Sequence, residues 1–505
     1  MPASDRPPKL FLFGAAVAGV FLVACSFVIA QREWFVGDDF AFLTSAQRPH
    51  NWLDVFLPFG RRVWWSYRPL TTDVFFYLGF QAFGRDAFGY LLITLLVHYL
   101  RGPVVYRLAR QLGFGVPVAL LGALLSVSRY PGTTQGFWIS SVQYSAANLL
   151  FLVSVSLFLD YARGGRLRTQ LGVCAGLVLT LLCNESGATL PPVLLLVSAY
   201  ADGFRLEGGT ATRALRRVAP HLAILAVYLV FRLRLIGPAA LGKPADVYGT
   251  AFGWNILANY GRYILFVFDD NPVEIAIAGL MVLGLIVLLR WRGWAAARWR
   301  WLIDINVLCA AWIFVAMLPY AGFLPEQMFR FFSPAFGFMA SRFAMHIEAP
   351  ACLLFASWLE ALWQLEGQRY KRAIEIGLVC LLVAALPYRQ LWTRFHNPQG
   401  NYARRFLDCV ADRYGNFATG TTFVIRYGGD GMAREDQKEK FRFLIFGGAV
   451  LNAFYDDRRP QLRFESSSEA AAGPCAGCIH LWLSPDLSVE PLDPLGQPGS
   501  EASPP

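Results

Sequence analysis

Charge is the scarcest property of this sequence: Asp, Glu, Lys and Arg make up 16% of its 505 residues, against 55% hydrophobic residues. Soluble domains carry roughly a quarter charged residues, so a soluble multidomain protein is excluded. Lysine is rarer still, occurring only at Lys9, Lys243, Lys371, Lys438 and Lys440, and arginine therefore supplies most of the basic side of a +10 net charge. These arginines form short clusters between apolar runs instead of one basic face, which sets nucleic-acid binding aside and marks them as topology signals. Arginine over lysine, with abundant Ala and Gly, hints at a GC-rich bacterial source. The chain also lacks an internal repeat and paired cysteine motifs. Cys25, Cys174, Cys183, Cys309, Cys352 and Cys380 lie in apolar segments, as small packing residues do. Only Cys475 and Cys478 have motif spacing, and a lone C-x-x-C in an oxidising compartment reads as a local disulfide sooner than as half a zinc site. No second acidic cluster of convincing spacing accompanies Asp38-Asp39, Asp269-Asp270 being the only rival, so neither a metal nor another cofactor is implied.

What is present is long apolar runs. A mean hydropathy of +0.41 and repeated stretches of roughly 15–20 apolar residues predict an α-helical polytopic membrane protein. Spans are expected near 10–30, 87–107, 115–129, 144–161, 170–183, 188–201, 218–236, 274–290, 302–320, 346–363 and 373–388. Leu22-Val23-Ala24-Cys25 resembles a lipoprotein cleavage box, but cleavage would remove the span that carries Asp38, and an uncleaved first span is expected. With the N-terminus inside, the clusters Arg101/Arg107/Arg110, Arg163/Arg166/Arg168, Arg205/Arg213/Arg216/Arg217, Arg290/Arg292/Arg298/Arg300 and Arg369/Lys371/Arg372 all fall on the cytoplasmic side. This requires that 252–268 lie at the interface without crossing. Eleven spans result, in a transmembrane domain over 1–389, followed by a small α/β domain over 390–483 outside and a disordered Pro/Ser/Gly-rich tail over 484–505. The outer loop 31–86, with Trp34, Trp52, Trp64, Trp65, Tyr67 and Tyr77, suits short interfacial helices roofing a cavity. The expected location is a bacterial inner membrane, with the chemistry on its extracytoplasmic face.

The motifs follow in a recognisable order: Gly37-Asp38-Asp39-Phe40 after the first span, Tyr67-Arg68-Pro69-Leu70-Thr71-Thr72, His98 in the second span, Tyr130-Pro131 with Trp138-Ile139, Asn184-Glu185-Ser186-Gly187, and Arg342-Phe343 before a late span. Over roughly residues 10–388 this resembles the GT-C superfamily of polyprenol-phosphate-sugar glycosyltransferases. Within it the order is most similar to the protein O-mannosyltransferase branch and its tetratricopeptide-bearing membrane mannosyltransferases. The chain departs from those relatives in having Tyr130-Pro131 and Gln135 where they carry His-Pro and Glu, Asn184-Glu185 where they favour Lys-Glu, and no tetratricopeptide array after the last span.

Moving a sugar from a lipid phosphate to a hydroxyl needs a base for the incoming oxygen, cations for the departing phosphate and an apolar groove for the lipid. In the relatives the first acid of the pair usually serves as base, which points to Asp38, with Asp39 as second candidate or orienting partner; the plain alternative is that both cap an interfacial helix. Arg68 and Arg342 each offer a planar fork to phosphate oxygens. The resemblance implies donor-phosphate binding for Arg342, with Arg330 next. Tyr67 and Gln135 are further site candidates. Glu185 is expected in a salt bridge or an acceptor contact, and His98 in a helix-to-helix hydrogen bond. The expected partners are a polyprenyl-phosphate sugar, by default mannose, a protein or glycolipid acceptor, and membrane lipid. A lipid-linked polysaccharide ligase or polymerase, and a transporter or lipid flippase, are the rival classes; the last would place charges near the midplane of broken spans.

Overall fold

The computed structural model describes residues 9–47, 67–129, 136–205, 209–236, 253–267, 296–321, 338–364, 400–414, 417–427, 449–455, 460–466, 478–484 and 489–491, with single positions between them. The expected spans 274–290 and 373–388 lie almost wholly outside these residues, as do Gln135 and Arg330.

An apolar first helix, α1 (Lys9–Ala30), leads into α2 (Asp38–Gln47). Beyond it a π-helical turn (Pro69–Val74) opens α3 (Phe75–Phe83), and α4 (Ala87–Tyr99) continues into α5 (Arg101–Gln111) across a break at Leu100. Then come α6 (Val116–Ser128), a 3₁₀ turn (Ile139–Ser141) running into α7 (Val142–Gly164), α8 (Leu167–Cys183), a second 3₁₀ turn (Glu185–Thr189), α9 (Leu190–Ala201), α10 (Thr210–Ile236), α11 (Asn255–Val267), α12 (Ala296–Ala321) and α13 (Phe338–Trp363). By length and composition, Lys9–Ala30, Ala87–Gln111, Ile139–Gly164, Thr210–Arg234 and Ala296–Ala321 can each cross a bilayer, and Val116–Ser128 and Leu167–Cys183 are shorter apolar helices. The chain is an integral membrane protein, and its lipid-facing surface is apolar, with Phe13, Val20, Leu171 and Val227 more than half exposed.

Small residues set the tightest helix contact. Gly172 and Gly176 repeat at four-residue spacing on α8, and a Cβ on Gly176 would stand only 2.2 Å from Ser154 Oγ on α7. Association in lipid depends on such close approach, because lipid tails are as apolar as Leu. α11 is 13 residues long, about 20 Å at 1.5 Å per residue and well short of a ~30 Å hydrocarbon core. Its Asn259 Nδ2 donates to the Ala321 carbonyl at 2.8 Å and its Tyr260 hydroxyl to the Phe314 carbonyl at 2.8 Å, so it lies along α12.

Two expectations need correcting. Arg101, read as a surface topology charge, is fully buried within the Ala87–Gln111 unit, paired with Glu348 of α13. The segment expected to be disordered from 484 supplies a strand, Val489–Pro491, because the edge of the preceding strand takes a partner there.

The C-terminal part packs α14 (Gly400–Tyr414) and α15 (Ala449–Tyr455) with a sheet of β1 (Thr422–Tyr427), β2 (Gln461–Ser466), β3 (Ile479–Leu483) and β4 (Val489–Pro491) in the order β2-β1-β3-β4. β1 runs parallel to both β2 and β3, and β4 is antiparallel. Being covered on both faces, β1 reads as an unbroken apolar core, with Phe423, Val424 and Ile425 all buried. Cys478, just before β3, is disulfide-bonded. A continuous buried cluster joins this domain to the start of the membrane domain, through Phe35, Phe40 and Leu43 to Phe406, Phe441 and Leu451.

Candidate functional site

Asp38-Asp39, Tyr67–Thr72, Trp138-Ile139 and Asn184–Gly187 fall at one end of the bundle, where α1, α6, α8 and α12 finish and α2, α4, α7, α9 and α13 begin. Gly37, at φ +59°, turns the chain into α2 with a backbone that side-chain-bearing residues rarely adopt. Asp39 is buried at the first turn of α2. Its Oδ2 accepts from the Val36 N–H at 2.9 Å, and its Oδ1 from the Ser140 N–H at 2.7 Å and from the Ser140 hydroxyl. The Trp138 indole donates to the Val36 carbonyl at 3.2 Å, closing the same staple. Burial pushes the Asp39 carboxyl up to about 7, with the neighbouring Asp38 adding to the rise and the Ser140 and Val36 donors opposing it. Asp38, the residue before it, is half-buried.

The Tyr67–Thr72 motif is held just as locally. The Arg68 carbonyl accepts from the Thr71 N–H at 3.1 Å, the Thr72 N–H at 3.0 Å and the Thr72 hydroxyl at 2.9 Å, while Pro69, lacking an N–H, opens the turn. Thr71 then donates its hydroxyl to the Cys183 carbonyl at 2.8 Å, one of the orphan carbonyls at the end of α8. That bond sets the turn beside Asn184-Glu185. Asn184 Oδ1 accepts from the Ser186 N–H at 3.0 Å and so caps the 3₁₀ turn that carries Glu185.

Arg68 and Glu185 meet across this junction as a bidentate pair: Nε donates to Oε2 at 2.5 Å and Nη2 to Oε1. Nη1 donates to Gln143 Oε1, and the guanidinium lies 5.6 Å from the centre of the Tyr144 ring. The Arg68 fork is thus turned on Glu185, the salt-bridge alternative expected for that acid, and not held open for a phosphate. Tyr144 packs edge-on to His346 of α13 at 6.4 Å, and His346 stacks on Tyr320 of α12 at 6.1 Å. Arg342 lies in α13, one turn before His346 in the chain. Tyr67 is buried against Phe231 of α10 at 5.4 Å.

The structure therefore joins Asp39, the Arg68–Glu185 pair and His346 of α13 through one short segment, residues 138–144. Sequence reading singled out Trp138-Ile139 but missed Ser140, Gln143 and Tyr144, whose partners lie 75 to 202 positions away in the chain. His98 is not part of this cluster. Its Nε2 shares a hydrogen bond with the Val127 carbonyl at 2.9 Å, its other ring nitrogen faces Arg101 Nη1 at 3.3 Å, and Arg101 also donates to the Ser126 carbonyl and to Glu348. Glu348 was not anticipated; its pairing with Arg101 spans 247 positions. Among the described residues no group of three or more His, Cys, Asp or Glu could hold a metal ion.

An α-helical membrane bundle with this motif-bearing end and a small mixed domain behind it is a GT-C type of membrane fold. No protein-family profile matches the chain, and no curated protein matches it in sequence. The chain is similar in structure to ArnT from Cupriavidus metallidurans in the apo state, with a TM-score of 0.50, 12% identity and 93% of each chain covered. ArnT from the same organism bound to undecaprenyl phosphate gives a TM-score of 0.48 at 12% identity over 93% of each chain. The apo Archaeoglobus fulgidus oligosaccharyltransferase gives 0.45 at 11% identity, over 92% of this chain and 65% of that one.

Proposed function

We propose that the protein is a membrane glycosyltransferase that moves a sugar, by default mannose, from a polyprenyl-phosphate donor to an acceptor hydroxyl at the extracytoplasmic face. The observation that carries this reading is the junction at residues 138–144, which holds the Asp39 carboxylate on one side and the Arg68–Glu185 pair on the other. Asp38 is the general base. It is the half-buried acid of the pair, at the first turn of α2 beside the fully buried Asp39. Arg68 and Glu185 are positioning residues that fix the floor of the site, and Arg342 is the cation for the donor phosphate, with Arg330 next in line. One phosphate charge can be met by arginine alone, so transfer needs no metal. The fold shared with apo ArnT supports the reading.

Asp38→Asn keeps shape but removes proton acceptance. In purified protein it should lower turnover by about 10²–10⁴-fold while donor lipid, titrated separately, binds as in the parent. Full turnover in this variant would end the assignment of Asp38; loss confined to Asp39→Asn would move the base by one residue.

One observation favours a second reading, a lipid flippase: the buried Arg101–Glu348 pair beside a helix break at Leu100 is the kind of midplane charge that transporters use. Both side chains are fully buried and bonded to each other, which is how a structural pair also looks. Proteoliposomes carrying a fluorescent polyprenyl phosphate separate the two, because a flippase moves the probe across the bilayer and a transferase does not.

A further inference from the structure

Behind α2, between the membrane domain and the C-terminal domain, is a cavity of about 510 Å³ that the chemistry above does not use. Its walls come from the segment that joins α1 to α2, the α3–α4 turn, one face of α14 and the end of α15. On α14, Arg404, Asp408 and Ala411 recur at helical spacing and face it together. Arg404 and Asp408 are exposed, and among the described residues neither has a hydrogen-bond or ion-pair partner. The opposite wall presents Glu33 and the Trp34 ring, and the Trp34 ring packs 5.2 Å from that of Phe454.

The character of the lining narrows the ligand. Three carboxylates, Glu33, Asp86 and Asp408, face two guanidiniums, Arg85 and Arg404, so the cavity carries no excess positive charge for a phosphate. An apolar lipid chain is equally ill served by such a lining. A hydroxyl-rich ring suits it: carboxylates accept from its hydroxyls, guanidiniums donate to them, and its C–H face packs on the aromatic ring. Trp34 also lies four residues before Asp38, so a ligand held here sits on the same connecting segment as the proposed base.

We propose that this cavity is a saccharide-binding site, holding the sugar portion of a glycosylated acceptor beside α2. The acceptor role rests on the transferase reading; the binding of saccharide does not.

The test uses the intact protein in lipid nanodiscs, with methyl glycosides and α-linked disaccharides of mannose, glucose and galactose as probes, read by saturation-transfer NMR. At least one probe should receive saturation. Asp408→Asn and Arg404→Gln, both on the exposed face of α14, should weaken it by about three- to tenfold each, in protein that melts like the parent and binds undecaprenyl phosphate as the parent does. Trp34→Leu gives a third measure, and should remove the saturation of ring C–H protons before that of the rest. If no probe receives saturation, or if binding is equal in parent and all three variants, the cavity is not a saccharide site. If saccharide binding depends on these residues but the parent fails to bind undecaprenyl phosphate, the cavity assignment stands and the transferase reading is what fails.

Discussion

At Asp39, three donors from Val36 and Ser140 converge on a carboxyl that is fully out of solvent, and it is held near neutrality by that balance. The unfolded chain would ionise it near 3.8, the fold only at about 7. Because the folded value is raised, the contribution to stability is present in full below the unfolded value and is lost as pH rises through the folded one. Melting of the parent should therefore fall between about pH 4 and pH 8, and Asp39→Asn, which cannot ionise, should fall less over the same range. Parallel curves for the two proteins would show that Asp39 ionises in the fold as it does in the unfolded chain. Arg342 makes a different demand. Arg342→Lys keeps the charge and removes the planar fork, so donor affinity should drop by about ten- to a hundredfold, as expected for a lost charge-assisted hydrogen bond of roughly 1.5–3 kcal/mol. Donor titration reads this directly, and acceptor dependence should be unchanged. If Arg342→Lys and Arg342→Ala both bind like the parent, the phosphate cation is elsewhere, and Arg330 is the next to replace.

Among the elements, the two short turns at Pro69–Val74 and Glu185–Thr189 do more for the site than any long helix, since each fixes one partner of the Arg68–Glu185 pair. Gly187 shows why its motif ends in glycine: a Cβ there would come within 2.8 Å of Thr180 Cγ2 and 3.1 Å of the Leu181 backbone nitrogen. Gly187→Ala should destabilise by about 1–3 kcal/mol, as overpacking does, and should lower turnover further because Glu185 is pushed off Arg68. Melting and activity measured together check this; an alanine variant with parental values of both would mean that the turn has room to shift. Helices such as α1, α7, α8 and α12 were legible in the sequence from their apolar length alone. The junction at 138–144 was not, because Ser140, Gln143 and Tyr144 are ordinary residues until the fold brings Asp39, Arg68 and His346 to them. Arg101 was misread for a related reason: an arginine near a predicted span end looks like a topology signal unless its acid, 247 positions on, is known.

For the molecule as a whole, the functional reading depends on which side of the membrane the motif-bearing end faces. That end and the C-terminal domain are parts of one buried cluster, so they must lie on the same side. We propose that this side is outside, a reading the loop charges support even with Arg101 removed from the count, since Arg107 and Arg110 remain in the same cluster and Arg163, Arg166, Arg168, Arg298 and Arg300 lie near the other ends of α7, α8 and α12. Asp412 is exposed on α14, in the C-terminal domain and away from the buried cluster. In intact cells, Asp412→Cys should react with a thiol reagent that cannot the membrane cross, and should do so without permeabilisation. Cys174 and Cys309, within α8 and α12, should stay unreactive to the same reagent, because both are in helices packed inside the bundle or facing lipid. Labelling of Asp412→Cys only after the cells are opened would put the C-terminal domain in the cytoplasm. The motif-bearing end would go with it, and the donor would then have to be met on the cytoplasmic leaflet, with the arginine clusters left outside against the usual charge bias.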